Sequence, residues 1–147
     1  MDKYYVTHDI AKVLKGIGFD IPCTRGVTAD GLETNSVWGL NFNKIPGAIF
    51  VDGYISVPLW VQTLDWFAEK FDILGFVVPG TIFPGKRYSY IVNGVSYTEL
   101  AYEKPEEAYL NCVIEIIDII LARKYESKSD CSPGFGGQED SGDNIQK

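Results

Sequence analysis

The most regular pattern of apolar positions in the chain runs from Ser56 to Phe71 and has the period of an α-helix. Four large apolar residues recur at intervals of four, three and four positions, namely Trp60, Leu64, Phe67 and Phe71. At about 100° per residue these positions share one narrow stripe, which Val57, Val61 and Ala68 widen. The pattern therefore predicts an amphipathic helix whose apolar stripe faces the core.

The start of this helix and a second apolar edge are also visible in the sequence. Ser56 is the predicted N-cap, because its hydroxyl can accept a hydrogen bond from a backbone N–H that has no partner inside the helix. Pro58 is tolerated in the first turn, where the helix does not use its missing N–H. Leu59 and Trp66 form an apolar edge outside the main stripe. We expect another surface to cover this edge.

Shorter elements are predicted before the central helix. Thr7 is the expected N-cap of an N-terminal helix that Gly18 ends. Between residues 24 and 56, short β-type segments flank Asp30-Gly31 and Asp52-Gly53, two dipeptides that are typical of tight hairpin turns. This part of the chain is therefore predicted to form a helix followed by β-hairpins.

The second half of the chain predicts a β-meander and a long helix. Apolar segments between Ile73 and Leu100 flank Asn93-Gly94, the strongest hairpin signal in the sequence. Pro105-Glu106-Glu107 opens the last helix, because carboxylates are favourable at the positive end of a helix dipole. The predicted fold class is α+β, with helices packed on antiparallel hairpins and a meander in the order α-β-β-β-α-β-β-β-α.

The last helix is apolar over an arc of about 220°, compared with about 100° for an ordinary surface helix. Such a helix needs cover on two sides. We favour cover by the sheet and the N-terminal helix. The alternative is a homodimer, for which the predicted interface residues are Cys112, Ile116 and Ile119.

Length, composition and charge define the class of protein. The chain has 147 residues, 46% of them hydrophobic and 22% charged, which predicts one globular α+β domain over residues 1–126. Residues 127–147 are rich in Gly, Ser and Asp and are predicted to form a disordered tail. The formal net charge is −7 and Lys86-Arg87 is the nearest approach to a basic patch, so direct nucleic-acid binding is not expected.

No apolar run approaches the ~20 residues of a membrane span, and the residues after Met1 lack the apolar core of a signal peptide. A cytoplasmic protein without a membrane partner is therefore expected. His8 is the only histidine, the three cysteines are widely spaced, and no metal-binding or nucleotide-binding motif occurs. No catalytic residue, metal site or cofactor is predicted. A cleft that joined His8 to Cys23 or Cys112 would suggest an enzyme.

Aromatic residues make up 14% of the chain. Tyrosine and tryptophan fill cores and are also enriched at interaction hot spots. Tyr88 and Tyr90 share one face of a predicted strand, and Trp66 lies with Leu59 on the second edge of the central helix. Leu59, Trp66, Tyr88 and Tyr90 are the predicted binding residues.

Four motifs follow one another along the chain: G-F-D-I-P-C at residues 18–23, S-V-P-L-W…W-F-A-E-K-F at 56–71, Y-S-Y-I-V at 88–92 and P-E-E-A at 105–108. Their order, from Val6 to Arg123, resembles a family of short uncharacterised proteins encoded by phages and prophages of gut bacteria. Val57 and Ala68 stand where that family usually has Ala and Arg. The resemblance implies a phage-derived accessory protein and supplies no catalytic residues.

The function expected from the sequence is that of a small acidic phage or prophage accessory protein in the cytoplasm of a bacterial host. It is expected to act without catalysis by binding a host or phage protein. One alternative is a counter-defence protein that binds or sequesters a small ligand in an aromatic pocket. A second alternative is an enzyme without a recognisable motif.

Overall fold

The computed structural model describes residues 3–28, 31–44, 54–80, 85, 87–97 and 99–129, apart from the side chains of residues 37, 38 and 127–129. Within these ranges the elements are α1 (His8–Ile17), β1 (Cys23–Thr28), β2 (Glu33–Leu40), β3 (Tyr54–Ser56), α2 (Trp60–Phe71), β4 (Gly75–Pro79), β5 (Tyr88–Val92), β6 (Val95–Ser96) and α3 (Pro105–Ser129). A short 3-10 turn at Phe42–Lys44 follows β2. The predicted α+β class and element order are confirmed.

The strands form two antiparallel sheets with the orders β2-β1-β3 and β4-β5-β6. Val27 of β1 pairs with Glu33 of β2 across the predicted turn at residues 30–31. The second predicted turn, at residues 52–53, lies outside the described residues, and the strand that follows it pairs with β1. The predicted meander is confirmed, because β4 pairs with β5 and β5 pairs with β6, both antiparallel. At its second turn, Asn93 and Gly94 both have positive φ angles, 49° and 80°, as a type I′ hairpin turn requires.

The predicted ends of α1 are confirmed, whereas α3 is longer than predicted. The Thr7 hydroxyl accepts a hydrogen bond from the Ile10 N–H at 3.3 Å, and Gly18 ends the helix with a φ of 96°. α3 continues to Ser129, so the first residues of the predicted tail are helical. Residues 130–147, the rest of that tail, lie outside the described residues.

The predicted N-cap of the central helix is wrong. Leu59 occupies the N-cap position of α2, and its side chain makes no capping hydrogen bond. Ser56 belongs instead to β3 and is fully buried. Its N–H donates to Asn43 Oδ1 at 2.9 Å, and its hydroxyl accepts from the Asn43 N–H at 3.3 Å. The Ser56 side chain therefore ties β3 to the 3-10 turn.

α2 and α3 run parallel to each other beside the second sheet. Trp60 stacks on Tyr109 near the helix starts, with ring centroids 6.4 Å apart. Near the helix ends, Arg123 Nη1 donates to the Phe71 carbonyl at 3.2 Å. α3 thus packs against α2 and against the strands β4 and β5, and α2 also contacts β4. The sequence pattern predicted α1 as its second cover, but α1 packs against β3 instead. This arrangement sets the starts of α2 and α3 side by side.

Candidate functional site

The residues predicted for a dimer interface lie mainly in the core of the single chain. Cys112 and Ile116 are fully buried. A Cβ atom added at Gly75 on β4 would lie 3.1 Å from Cys112 Sγ and 2.5 Å from Ile116 Cδ1, so the sheet covers both residues. Ile119 is partly buried against the same core. The interpretation of Cys112 and Ile116 as an exposed dimer face is therefore corrected, because β4 occupies that face.

Two of the predicted binding residues are also core residues. Trp66 is 3% exposed and contacts Phe19 edge to face, with ring centroids 5.0 Å apart. Its indole N–H donates to Asp20 Oδ1 at 3.1 Å. Tyr90 is buried and stacks on Tyr97 at 4.7 Å. The segment that follows α1 covers the second edge of α2 at Trp66, as expected. Trp66 is therefore mainly a core residue, although it still lines a depression along α2 together with Leu59.

The two other predicted binding residues remain accessible but lie apart in the fold. Tyr88 is half-buried on β5 and forms an isolated β-bridge with Tyr102. Leu59 is 40% exposed, and it borders a concave surface whose lining is mainly apolar. The structure therefore does not gather the four predicted residues into one site.

A cleft of about 500 Å³ opens where the N-terminal segment meets the starts of α2 and α3. We call it the central cleft. Its lining residues are Lys3, Tyr4, Leu59, Trp60, Val61, Pro105, Glu106 and Tyr109. The stack of Trp60 on Tyr109 forms its wall, and Leu59, Val61 and Tyr4 form an exposed apolar rim.

The rim is held by backbone hydrogen bonds rather than by side chains alone. The Trp60 N–H donates to the Tyr4 carbonyl at 3.1 Å, and the Val6 N–H donates to the Pro58 carbonyl at 3.0 Å. The indole N–H of Trp60 donates to the Lys3 carbonyl at 3.2 Å. The N-terminal segment is thereby fixed as a short ribbon along the start of α2. A fixed rim loses little conformational entropy when a partner binds.

Two further depressions continue the central cleft. One, of about 240 Å³, shares Lys3, Trp60 and Glu106 with it and extends to Glu107. The other depression, of about 350 Å³, shares the rim residues Leu59 and Val61 with the central cleft. It extends along the outer side of α2 past Gln62, Asp65 and Glu69. Because each of them shares lining residues with the central cleft, we call the three depressions together the groove.

The sequence indicated the elements of the groove but not the groove itself. The helix period predicts that Val61 lies beside the core stripe of α2, but the structure shows Val61 to be 55% exposed. Tyr4 and Tyr109 carried no signal beyond the general aromatic content. Their place beside Leu59 depends on the parallel packing of α2 and α3, which no local pattern encodes.

The structure does not assemble the catalytic pair that the sequence left open. His8 borders a separate cavity of about 60 Å³ with Tyr5, Arg25 and Glu33, and neither Cys23 nor Cys112 lines it. His8 Nε2 has no hydrogen-bond partner among the described residues. No group of three or more metal-ligating side chains occurs within the described ranges.

Burial raises the pKa of both Cys23 and Cys112 to about 12. Because the thiolate is the nucleophile, these thiols are expected to be inert in the folded protein. In a Cys131→Ser variant, which leaves Cys23 and Cys112 as its cysteines, we expect an aromatic disulfide reagent at pH ~8 to react more than about a hundredfold faster in urea than in native buffer. A fast-reacting equivalent in the native variant would contradict the burial of these thiols.

In the part of the chain that the structure describes, no helix is both long and apolar enough to cross a membrane. Comparisons with protein-family models, with curated proteins and with solved structures found no match to this chain.

Proposed function

We propose that this protein is a small acidic accessory protein of phage or prophage origin that binds another protein in a bacterial host cytoplasm and performs no catalysis. The observation that carries the proposal is the exposed apolar rim of the central cleft, formed by Tyr4, Leu59 and Val61 around Trp60. A contiguous exposed apolar surface is typical of an interaction site. The order of the sequence motifs supports the phage origin.

The composition of the central cleft suits a protein partner. Protein hot spots combine buried aromatic anchors with a surrounding rim that excludes water. Here Trp60 and Tyr109 supply a rigid aromatic wall, and Leu59 and Val61 supply the apolar rim on the first turn of α2. An apolar side chain of the partner would fill the cleft between them.

A small ligand is the second candidate occupant. The volume of about 500 Å³ lies within the range of ~300–1,000 Å³ that is typical of small-molecule sites. Lys3 and Glu106 place one ammonium and one carboxylate at the edge of the aromatic wall. This arrangement could orient a flat polar molecule.

Val61→Asp tests the proposal with Val95→Asp as its matched control. Val61 and Val95 are 55% and 57% exposed, and Val95 lies on β6 outside the groove. Aspartate in the first turn of a helix is favourable to the helix dipole, so Val61→Asp is expected to fold. The charge would disrupt apolar contacts of the central cleft.

The measurement is native mass spectrometry of each protein purified gently from bacterial producing cells. We expect the native chain and Val95→Asp to retain a partner protein that Val61→Asp loses. Retention of a small molecule that is lost in Val61→Asp would instead support the ligand-binding alternative. A bare chain in all three preparations, or a partner that Val61→Asp retains, would overturn the proposal.

A further inference from the structure

We propose that the partner enters the groove as a peptide segment with a central apolar side chain and a Lys or Arg on each side of it. This inference rests on the proposed function and adds the chemistry of the partner. The two outer depressions each share lining residues with the central cleft, so one segment that crosses the cleft can reach both of them. The apolar rim of the central cleft receives the central side chain.

Each end of the groove carries two carboxylates. Glu106 and Glu107 lie at the end beside α3, and Asp65 and Glu69 lie at the end along α2. None of the four forms an ion pair within the described part of the chain. Among the described residues that line the groove, Lys3 is the one basic residue, and its ammonium lies over the Tyr4 ring at 5.1 Å. Four carboxylates against one ammonium give the groove a negative charge.

The pair on α2 is unfavourable to its own helix. Asp65 and Glu69 are four residues apart, and like charges at this spacing destabilise a helix by about 0.2–0.5 kcal/mol. Glu106 and Glu107 stabilise the start of α3, whereas Asp65 and Glu69 have no such role. A cation bound beside them would relieve the repulsion. Charge complementarity therefore selects a basic segment.

The length of α2 indicates how long the bound segment is. From Leu59 to Glu69 the helix rises about 15 Å at 1.5 Å per residue. An extended chain covers this distance with about five residues at ~3.3 Å per residue. The groove thus fits a short extended segment rather than a single side chain.

The test is a selection of displayed random peptides, about a dozen residues long to exceed the ~15 Å of α2, on the full-length protein. Peptides that also bind Val61→Ser, which removes apolar contact without adding a charge, are discarded, so those that remain depend on the central cleft. The affinity of the best peptide is then measured for two double variants. Asp65→Asn/Glu106→Gln removes one carboxylate from each end of the groove. Glu99→Gln/Asp118→Asn removes two exposed carboxylates outside it. Both change the formal net charge from −7 to −5.

We expect the selected peptides to carry Lys or Arg on both sides of an apolar residue. At low salt, Asp65→Asn/Glu106→Gln should bind about tenfold more weakly, because each rim ion pair contributes about 0.2–1 kcal/mol. The control variant should bind within about twofold of the native chain, since its changed residues lie outside the groove. Screening at ~1 M salt should abolish the difference.

The outcomes separate this inference from the proposed function. Peptides that depend on the central cleft but lack flanking basic residues, or that bind both double variants equally, would overturn the inference and leave protein binding in place. A selection without any such peptides would count against peptide recognition by the groove and against the proposed function together.

Discussion

Replacing Trp66 with alanine is expected to lower the free energy of unfolding by about 3–5 kcal/mol. The side chain is 3% exposed and contacts Phe19, Phe67 and Phe71 at centroid distances of 5.0, 5.4 and 5.2 Å. Its removal would leave a cavity and would remove the hydrogen bond to the Asp20 carboxylate. Trp66 thus joins α2 to the segment that follows α1.

Urea unfolding followed by circular dichroism measures this effect without relying on tryptophan fluorescence. Leu59→Ala is the control, because Leu59 lies on the same apolar edge but is 40% exposed. The free energy of unfolding of this control is expected to change by no more than about 0.5 kcal/mol. Trp66→Phe keeps most of the apolar volume and loses the hydrogen bond to Asp20, so an intermediate loss of about 1–2 kcal/mol is expected. A loss below about 1 kcal/mol for Trp66→Ala would contradict the assignment of Trp66 to the core.

Trp66 shows why the candidate site could not be found from helix periodicity. The 3.6-residue period correctly placed Trp66 outside the main stripe of α2, and the spare edge suggested a binding surface. In the structure, Phe19 and Asp20 reach this edge from more than forty positions away and cover it. Val61 shows the opposite case, because it widened the predicted stripe but lies exposed beside the central cleft.

Elements with local chemical signals were predicted well. Thr7 caps α1 through its own hydroxyl, Gly18 ends the same helix, and Asn93-Gly94 turns the chain between β5 and β6. Each signal depends on residues close together in the sequence. The cap predicted at Ser56 failed because Asn43, thirteen positions earlier, competes for the same side chain. Local sequence signals therefore predict a cap or a turn correctly only when no residue distant in the sequence binds the same side chain.

The central cleft depends on three segments that are far apart in the sequence. The N-terminal ribbon pairs with the residues before α2 through a β-bridge between Tyr5 and Leu59. The Val57 N–H donates to the Arg25 carbonyl at 2.9 Å, which links the start of α2 to β1. The position of the apolar rim is thus tied to the first sheet. A substitution in the centre of that sheet is therefore expected to lower the stability of the whole fold.

Gly26 lies in that sheet at a position without space for a side chain. It lies on the central strand β1 and pairs with Thr34 on one side and Ser56 on the other. A Cβ atom at Gly26 would lie 2.5 Å from Phe42 Cγ and 2.6 Å from Phe42 Cδ1. The Phe42 ring is itself buried. Because strands on both sides hold the backbone, the ring would have to leave its site in the core.

Gly26→Ala is therefore expected to destabilise the fold by about 3 kcal/mol, at the upper end of the usual cost of overpacking. Gly16→Ala is the control, since nothing lies within 4 Å of a Cβ atom there. Alanine in that helical position should stabilise by about 0.5–1 kcal/mol. In the double variant Gly26→Ala/Phe42→Leu, the loss in free energy of unfolding should be at least about 1 kcal/mol smaller than the sum of the losses in the two single variants. Strict additivity in urea unfolding would show that contact with the Phe42 ring is not the reason for glycine at this position.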